Sequence, residues 1–261
     1  MKALLTSLLL VVMASPAWAV LGLPYAQEAV VHEGQTRITG GLTVGELPDS
    51  EGDADIMMLG GRWGYGIMDG LELFGGLGLV SLDTDDGPDA PDLDFDNEPY
   101  LQLGGLYTLP LDLPFDVGLR GAVGYARLKD SFRESEPVTT PGGPATIDIA
   151  GTIEVELYSI NLGLLASKEL NPNVSFYGFG GVSHSRMEMD GSARVTSDNA
   201  YVMQWLEAEG ESRQSASESE TNTELAVAGG LLVNMADRLS LYTEVAHIGA
   251  VSASIGGRFS F

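Results

Sequence analysis

Apolar and polar residues alternate with a period of two in ten separate segments of the chain. In segment 36–44, for example, Ile38 and Leu42 fall on one face and Arg37 on the other. Such alternation is typical of β-strands with one apolar face. The ten segments are Thr36–Val44, Asp55–Ile67, Leu71–Leu79, Tyr100–Leu109, Phe115–Tyr125, Tyr158–Ala166, Val174–Val182, Thr223–Val233, Leu239–Val245 and Val251–Phe261.

The connections between these segments alternate in length. Short connections are predicted near 67–71, 109–115, 168–174 and 234–239, and long ones near 45–54, 83–99, 130–152 and 190–222; the short link near 248–251 is an exception. A soluble β-sandwich also has many alternating strands, but alternating loop lengths with an even strand count are typical of outer-membrane barrels. We therefore predict an all-β fold, a transmembrane antiparallel up-and-down β-barrel of about ten strands. An error of one hairpin would give eight or twelve.

The first 19 residues have the features of a secretory signal peptide. A positive start at Met1-Lys2 precedes the apolar run 3–13, and Ala17-Trp18-Ala19 is a small-residue cleavage site. Val20 follows this site in place of the cysteine that a lipoprotein signal requires. We expect residues 20–261 to form the barrel domain, because no other segment has the roughly 20 apolar residues of a helical span.

Composition narrows the function. The chain has 261 residues, no cysteine, 37 acidic and 13 basic residues, and a formal charge of −24. Nucleic-acid binding is disfavoured by that charge, and disulfides or cysteine-ligated zinc are excluded. The 34 glycines are nearly double the usual share of about 7%. Since pairs such as Gly60-Gly61 and Gly229-Gly230 fall inside apolar segments, glycine is expected to relieve crowding in a narrow barrel.

The last eight residues carry the most specific pattern in the chain. They run polar, any, Gly, any, any, aromatic, any, aromatic, with Ser254, Gly256, Phe259 and Phe261 at the defining positions. This pattern is similar to the assembly signal of bacterial outer-membrane barrels. With the strand pattern, it makes the chain resemble small barrels of the OmpA/OmpX and opacity-protein type. The resemblance implies insertion by the barrel-assembly machinery, with termini in the periplasm and loops outside.

Several charged residues fall on the face opposite the apolar one. If the apolar face contacts lipid, these residues point into the barrel. The alternative costs about 2–4 kcal/mol for each arginine near the bilayer midplane. The predicted lumen charges are Arg37, Arg62, Glu72, Asp116, Arg120, Glu224, Glu244 and Arg258. They would either pair as a plug that closes the barrel or line a narrow water-filled passage, and about ten strands leave little space for the second arrangement.

Two long connections are strongly polar. Residues 83–98 include eight acidic residues among sixteen, and Asp83, Asp85 and Asp86 are the candidate ligands for a divalent cation such as Ca²⁺. The segment does not match an EF-hand, because Gly87 stands where the third ligand is needed, so we expect no metal site. The segment 190–222 is expected to be a loop with a short helix near Tyr201–Glu209.

Catalysis is not expected. Some outer-membrane barrels are hydrolases that use a His-x-Ser pair, but His32, His184 and His247 are each followed two residues later by glycine or arginine. The omptin-type Asp-x-His arrangement is also missing. We therefore expect a non-catalytic surface or structural protein of the bacterial outer membrane, without a cofactor. Its expected partners are membrane lipid and lipopolysaccharide, and the alternative is a narrow porin-like channel.

Overall fold

The structure is a computed structural model that describes residues 28–48, 53–85, 93–140, 143–208 and 212–261. The predicted signal peptide lies outside the described residues. The elements are β1 (Thr36–Pro48), β2 (Asp53–Met68), β3 (Leu71–Asp85), β4 (Leu93–Leu109), β5 (Asp116–Thr140), β6 (Gly143–Asn171), β7 (Val174–Ser197), α1 (Ala200–Ala208), β8 (Arg213–Ala236), β9 (Leu239–Ile248) and β10 (Ala250–Ser260).

The ten strands form one closed antiparallel barrel. Each strand pairs with its neighbours in the chain, and β1 pairs with β10 to close the ring. The closing register runs from Arg37 opposite Ser260 to Glu46 opposite Val251. At the end of this seam the amide of Phe261 donates to the carbonyl of Thr36 at 3.0 Å. The predicted up-and-down barrel of ten strands is confirmed.

The two ends of the barrel differ. The end that contains the N-terminal segment and Phe261, here called the proximal end, has connections at 69–70, 110–115, 172–173 and 237–238. Two-residue hairpins favour residues with positive φ, and Gly70 has a φ of 83° in the first of these turns. At the opposite, distal end, strand β1 ends at Pro48, β3 ends at Asp85, β5 ends at Thr140 and β7 ends at Ser197, and Gly249 joins β9 to β10.

Strands β5 to β8 extend far beyond the predicted strand ends. They have 25, 29, 24 and 24 residues, whereas about 9–11 residues cross a bilayer. The prediction of long loops at 130–152 and 190–222 was therefore wrong in large part. Outside lipid the outer face of a strand need not be apolar, so the alternation by which strands were located fades while the backbone pairing continues.

The extensions form a four-stranded sheet that stands beyond the rest of the barrel. This distal wall consists of residues 127–140, 143–156, 188–197 and 213–219. Among the described strands its two edges have no barrel neighbour, because pairing between β4 and β5 stops at Tyr100 opposite Ala126, and pairing between β8 and β9 stops at Ala226 opposite Ile248.

Helix α1 covers the inner face of the distal wall. Its buried residues Val202 and Leu206 pack with Ala145 and Val195 in a small apolar cluster. This helix agrees with the one predicted near residues 201–209. In the described part of the chain, no helix is long and apolar enough to cross a membrane.

The outer face of the barrel is apolar around its circumference. Leu59, Leu77, Leu103 and Leu225 are 59%, 67%, 65% and 74% exposed. A face so rich in exposed large apolar residues is suited to hydrocarbon and not to water. The predicted orientation of the alternating residues, apolar outward and polar inward, is what the strands show in this region.

Gly256 allows the barrel to close tightly at the β1–β10 seam. A Cβ atom there would lie 2.1 Å from the carbonyl oxygen of Gly40 and 2.5 Å from the hydroxyl of Tyr242. Gly256→Ala is therefore expected to lower the free energy of unfolding by about 1–3 kcal/mol, the usual cost of overpacking. Urea titration followed by the gel shift of unheated samples measures it. Gly257→Ala is the matched control, since its nearest atom would be 3.7 Å away. Equal losses for both variants would contradict this explanation.

Candidate functional site in the barrel interior

Six of the eight charged residues predicted to face the lumen are buried inside the barrel. None of the six is more than 6% exposed; they are Arg37, Arg62, Glu72, Arg120, Glu244 and Arg258. Asp116 is exposed at the first position of β5, and Glu224 is only partly buried on β8, so neither belongs to this buried set. The buried set contains more arginines than carboxylates, so its stability depends on how these charges are offset.

The arginines nearest the proximal end are paired directly. Arg37 Nη1 lies 3.1 Å from Glu72 Oε2, and Arg258 Nη2 lies 3.1 Å from Glu28 Oε2. Arg37 also donates to the side-chain oxygen of Gln35 at 2.9 Å and to the carbonyl of Val30. Buried charges with such partners are held in one arrangement, and removing one partner is costly.

The two arginines deeper in the barrel share an aromatic ring. The guanidinium carbons of Arg62 and Arg120 lie 5.1 and 5.0 Å from the centre of the Phe74 ring. Arg120 also lies 5.8 Å from the ring of Phe179. Cation–π contacts of this kind are strengthened by desolvation. The negative charges of Glu72 and Glu244 further offset the positive charge of Arg62.

The chain immediately before β1 lies across the proximal opening. This segment, residues 28–35, is called the proximal plug. The amide of Ala29 donates to Ser167 Oγ on β6 at 2.9 Å. On the other side of the ring, the amide of Gly70 donates to the carbonyl of Val31 at 2.9 Å. Ala29 and Val31 are buried, so the plug fills space inside the barrel.

The proximal plug was not predicted from the sequence. The segment has no period-two pattern, and its partner Ser167 is 138 residues away in the chain. Glu28, the partner of Arg258, was missed for the same reason. No local signal marks these residues, because their role depends on closure of the whole ring.

An apolar cluster joins the proximal plug to the distal end along the interior. It begins at Val31 in the plug, includes Tyr177, Phe179 and Tyr242, and reaches Ile248 at the last position of β9. Further apolar side chains on the inner faces of the distal half are at most 3% exposed: Ile56, Met58, Val80, Tyr100, Leu128, Val155, Leu157, Met187 and Met189. The interior therefore combines the buried charged set with apolar side chains that extend toward the distal end.

A small set of neutral polar side chains lies at mid-height between these regions. Gln102, Ser159, Asn161 and Ser183 project inward from β4, β6 and β7 and are at most 2% exposed. Some of their polar atoms make no hydrogen bond to the described protein groups. Buried groups of this kind usually bind ordered water.

The residues of the predicted assembly signal occupy two faces of β10. Ser254 points inward, where its hydroxyl lies 2.8 Å from that of Thr43. Phe259 and Phe261 point outward at the proximal end, and their ring centres are 5.4 Å apart. Exposed aromatic residues at this height are typical of the membrane interface. Their role in insertion stays a prediction.

The candidate metal ligands and histidines form no site among the described residues. The side chains of Asp83, Asp85 and Asp86 lie outside the described residues. Among the residues that are described, no group of three His, Cys, Asp or Glu residues is arranged to hold a metal ion. His184 is exposed and lies 2.8 Å from the hydroxyl of Thr223.

Loss of the Glu72 carboxylate tests the buried charge network. Glu72→Gln would leave the buried Arg37 without its ion-pair partner, and we expect the free energy of unfolding to fall by about 3–5 kcal/mol. Urea titration of the folded protein in detergent measures it. Asp116→Asn, an equal charge change at an exposed position, is the control and should have little effect. A Glu72→Gln variant as stable as the wild type would contradict the network.

Comparisons with known proteins agree with this architecture. No family model and no curated protein matches the sequence. The translocator domain of the autotransporter NalP from Neisseria meningitidis is similar in structure, with a TM-score of 0.52, 12% identity, and coverage of 87% of this chain and 89% of that chain.

Two other solved barrels are matched over most of this chain. The outer-membrane protease OmpT from Escherichia coli has a TM-score of 0.48 and 10% identity, covering 90% of this chain and 99% of that chain. Ail, the attachment invasion locus protein of Yersinia pestis, has a TM-score of 0.35 and 16% identity, covering 88% and 99%. In fold, the chain is a small outer-membrane β-barrel with ten strands.

Proposed function

We propose that this protein is a non-conducting outer-membrane barrel that carries the distal wall above the cell surface as a platform for contacts. The observation that supports closure most directly is the apolar cluster from Val31 to Ile248, which runs through the interior from one end to the other. The buried ion pairs and the proximal plug, which occupy the proximal part of the interior, also support the proposal. The proposed role is structural and non-catalytic.

The proposed orientation places the proximal end in the periplasm and the distal end outside. Outer-membrane barrels have short periplasmic turns and longer extracellular parts. Three of the four proximal turns have two residues each, and the β5–β8 extensions all lie at the opposite end. The long β5–β8 extensions then project from the outer leaflet. In this orientation membrane lipid contacts the apolar belt, lipopolysaccharide surrounds the distal wall, and the insertion machinery engages β10.

A narrow channel is the alternative function. The mid-height set of Gln102, Ser159, Asn161 and Ser183 favours it, because such groups hold water. A conducting path, however, also needs openings above and below this set. The proximal plug covers the lower side, and buried apolar side chains such as Leu128 and Met189 cover the upper side.

Conductance distinguishes the two functions. We expect the purified protein to insert into planar bilayers without discrete conductance steps, because side chains and the proximal plug fill the described interior of this narrow barrel. A general diffusion porin in the same bilayers controls for detection. Arg62→Ala and Arg120→Ala should also remain silent, since the apolar cluster is unchanged. Stable open steps from the wild-type protein would overturn the closed-barrel proposal.

Cysteine labelling tests the orientation. The chain has no cysteine, so each introduced thiol reports on one position. Ser217→Cys, on the exposed outer face of β8, should react with a membrane-impermeant maleimide in intact cells. Asn173→Cys, in an exposed proximal turn, should react only after the outer membrane is permeabilised. The reverse pattern would show that the distal wall faces the periplasm.

A further inference from the structure

Three arginines form a transverse row on the outer face of the distal wall. In the strand registers Arg133 lies opposite Ala150, Ala150 opposite Arg194, and Arg194 opposite Arg213. Partners in register point to the same face of a sheet. The row therefore crosses four strands, about 14 Å at the usual strand spacing. The small Ala150 separates Arg133 from the other two arginines.

The three side chains are exposed, and they differ from other arginines on the same face. None of the three forms an ion pair with a described carboxylate. Closer to the barrel, Arg127 pairs with Glu154, and Arg186 pairs with Glu188. Toward the described residues, the arginines of the row therefore have guanidinium donors that a ligand can use. Guanidinium binds phosphate in a planar, two-pronged geometry.

A row of hydroxyl side chains lies directly beside the arginines. In register, Ser131, Thr152, Ser192 and Ser215 cross the same four strands one side-chain step nearer the barrel. The hydroxyls of Thr152 and Ser192 are 3.0 Å apart. On the other side, the nearest carboxylate in register is that of Asp148, which accepts a hydrogen bond from Ser135. Hydroxyls can donate to sugar and phosphate oxygens, so the surface combines charge with neutral donors.

The position of the row indicates its occupant. The outer face of the wall continues the lipid-facing surface, since alternate residues keep their face along β5 from Val123 to Arg133. Arg133 is eight residues beyond Tyr125, or about 26 Å along the strand at about 3.3 Å per residue. With a strand tilt of about 40°, the row stands roughly 20 Å above the apolar belt. That height lies in the saccharide layer of the outer leaflet.

We propose that Arg133, Arg194 and Arg213 bind the phosphorylated core saccharide of lipopolysaccharide molecules in the same leaflet. The inference rests on the proposed function, because it requires the distal wall to be outside the cell. Charge complementarity selects the ligand: three guanidinium groups that pair with no carboxylate of the described residues match several phosphates on one short oligosaccharide. Lipopolysaccharide bound here would hold the wall upright against the membrane surface.

The test uses full-length protein in detergent and core oligosaccharide released from lipid A with its phosphates retained. Affinity is measured by calorimetry at two salt concentrations. The variant R133Q/R194Q/R213Q is expected to bind at least about 30-fold more weakly and with a smaller salt dependence, since each phosphate contact contributes to both. The control K129Q/K168Q/R238Q removes the same charge elsewhere and should change affinity less than about 3-fold.

Two further probes identify the group that is bound. The same oligosaccharide after dephosphorylation should bind weakly to the wild type, and a sulfated heparin oligosaccharide should bind no better than the phosphorylated core. Unchanged affinity in the triple variant, binding that does not need phosphate, or preference for the sulfated chain would each overturn the proposal. If the triple variant does not fold, Arg194→Gln alone, the middle arginine, provides the measurement.

A failure of oligosaccharide binding can be distinguished from a failure of the proposed platform function. The binding assay uses purified protein and does not depend on orientation or conductance. If Ser217→Cys is labelled in intact cells but the arginine row binds no oligosaccharide, the lipopolysaccharide proposal is contradicted and the platform proposal stands. If the oligosaccharide binds in solution but Ser217→Cys is labelled only from the periplasm, the platform proposal is contradicted.

Discussion

Closure of the backbone ring is the constraint on which the rest of this molecule depends. In hydrocarbon every amide and carbonyl needs a partner, and only a ring without free edges supplies one for each strand. The β1–β10 seam meets this need over ten register pairs, from Arg37 to Glu46 on β1. A ring of ten strands also fixes a narrow interior, and a narrow interior is filled by side chains. Glycines at this seam and elsewhere make room for large residues such as Tyr242.

The filled interior and the distal wall both reflect the change from lipid to water around the outer face of the strands. Within lipid the outward positions must be apolar, so charges are placed inside and paired, as Arg37 and Glu72 are. Above the lipid the outward positions face water, and the same alternation gives a sheet with a polar outer face and an apolar inner face. There the inner face carries Val155 and Met189 while the outer face carries Arg127 and Glu154.

The lipid-spanning part of the fold could be predicted from the sequence because outward side chains must be apolar in lipid, which forces apolar and polar residues to alternate there. The strand extensions could not, because residues 212–223 contain serine, threonine and glutamate but almost no apolar residue, and resemble a loop. Inward charges such as Arg62 and Arg120 were predictable from the cost of placing them in lipid. The proximal plug was not, since Ala29 and Ser167 meet only after the ring has closed.

Net charge and local charge lead to different expectations for this protein. A charge of −24 suggests that polyanions are repelled. At physiological salt, however, electrostatic forces fade over about 8 Å. The row that contains Lys129, Glu154 and Asp190 lies two side-chain steps from the arginine row, about 13 Å along the strands. The potential near Arg133, Arg194 and Arg213 is therefore set mainly by those residues and by Asp148 beside them. Attraction of a phosphorylated saccharide to this row is compatible with an acidic protein, because a ligand responds to the charges it can reach and not to the total.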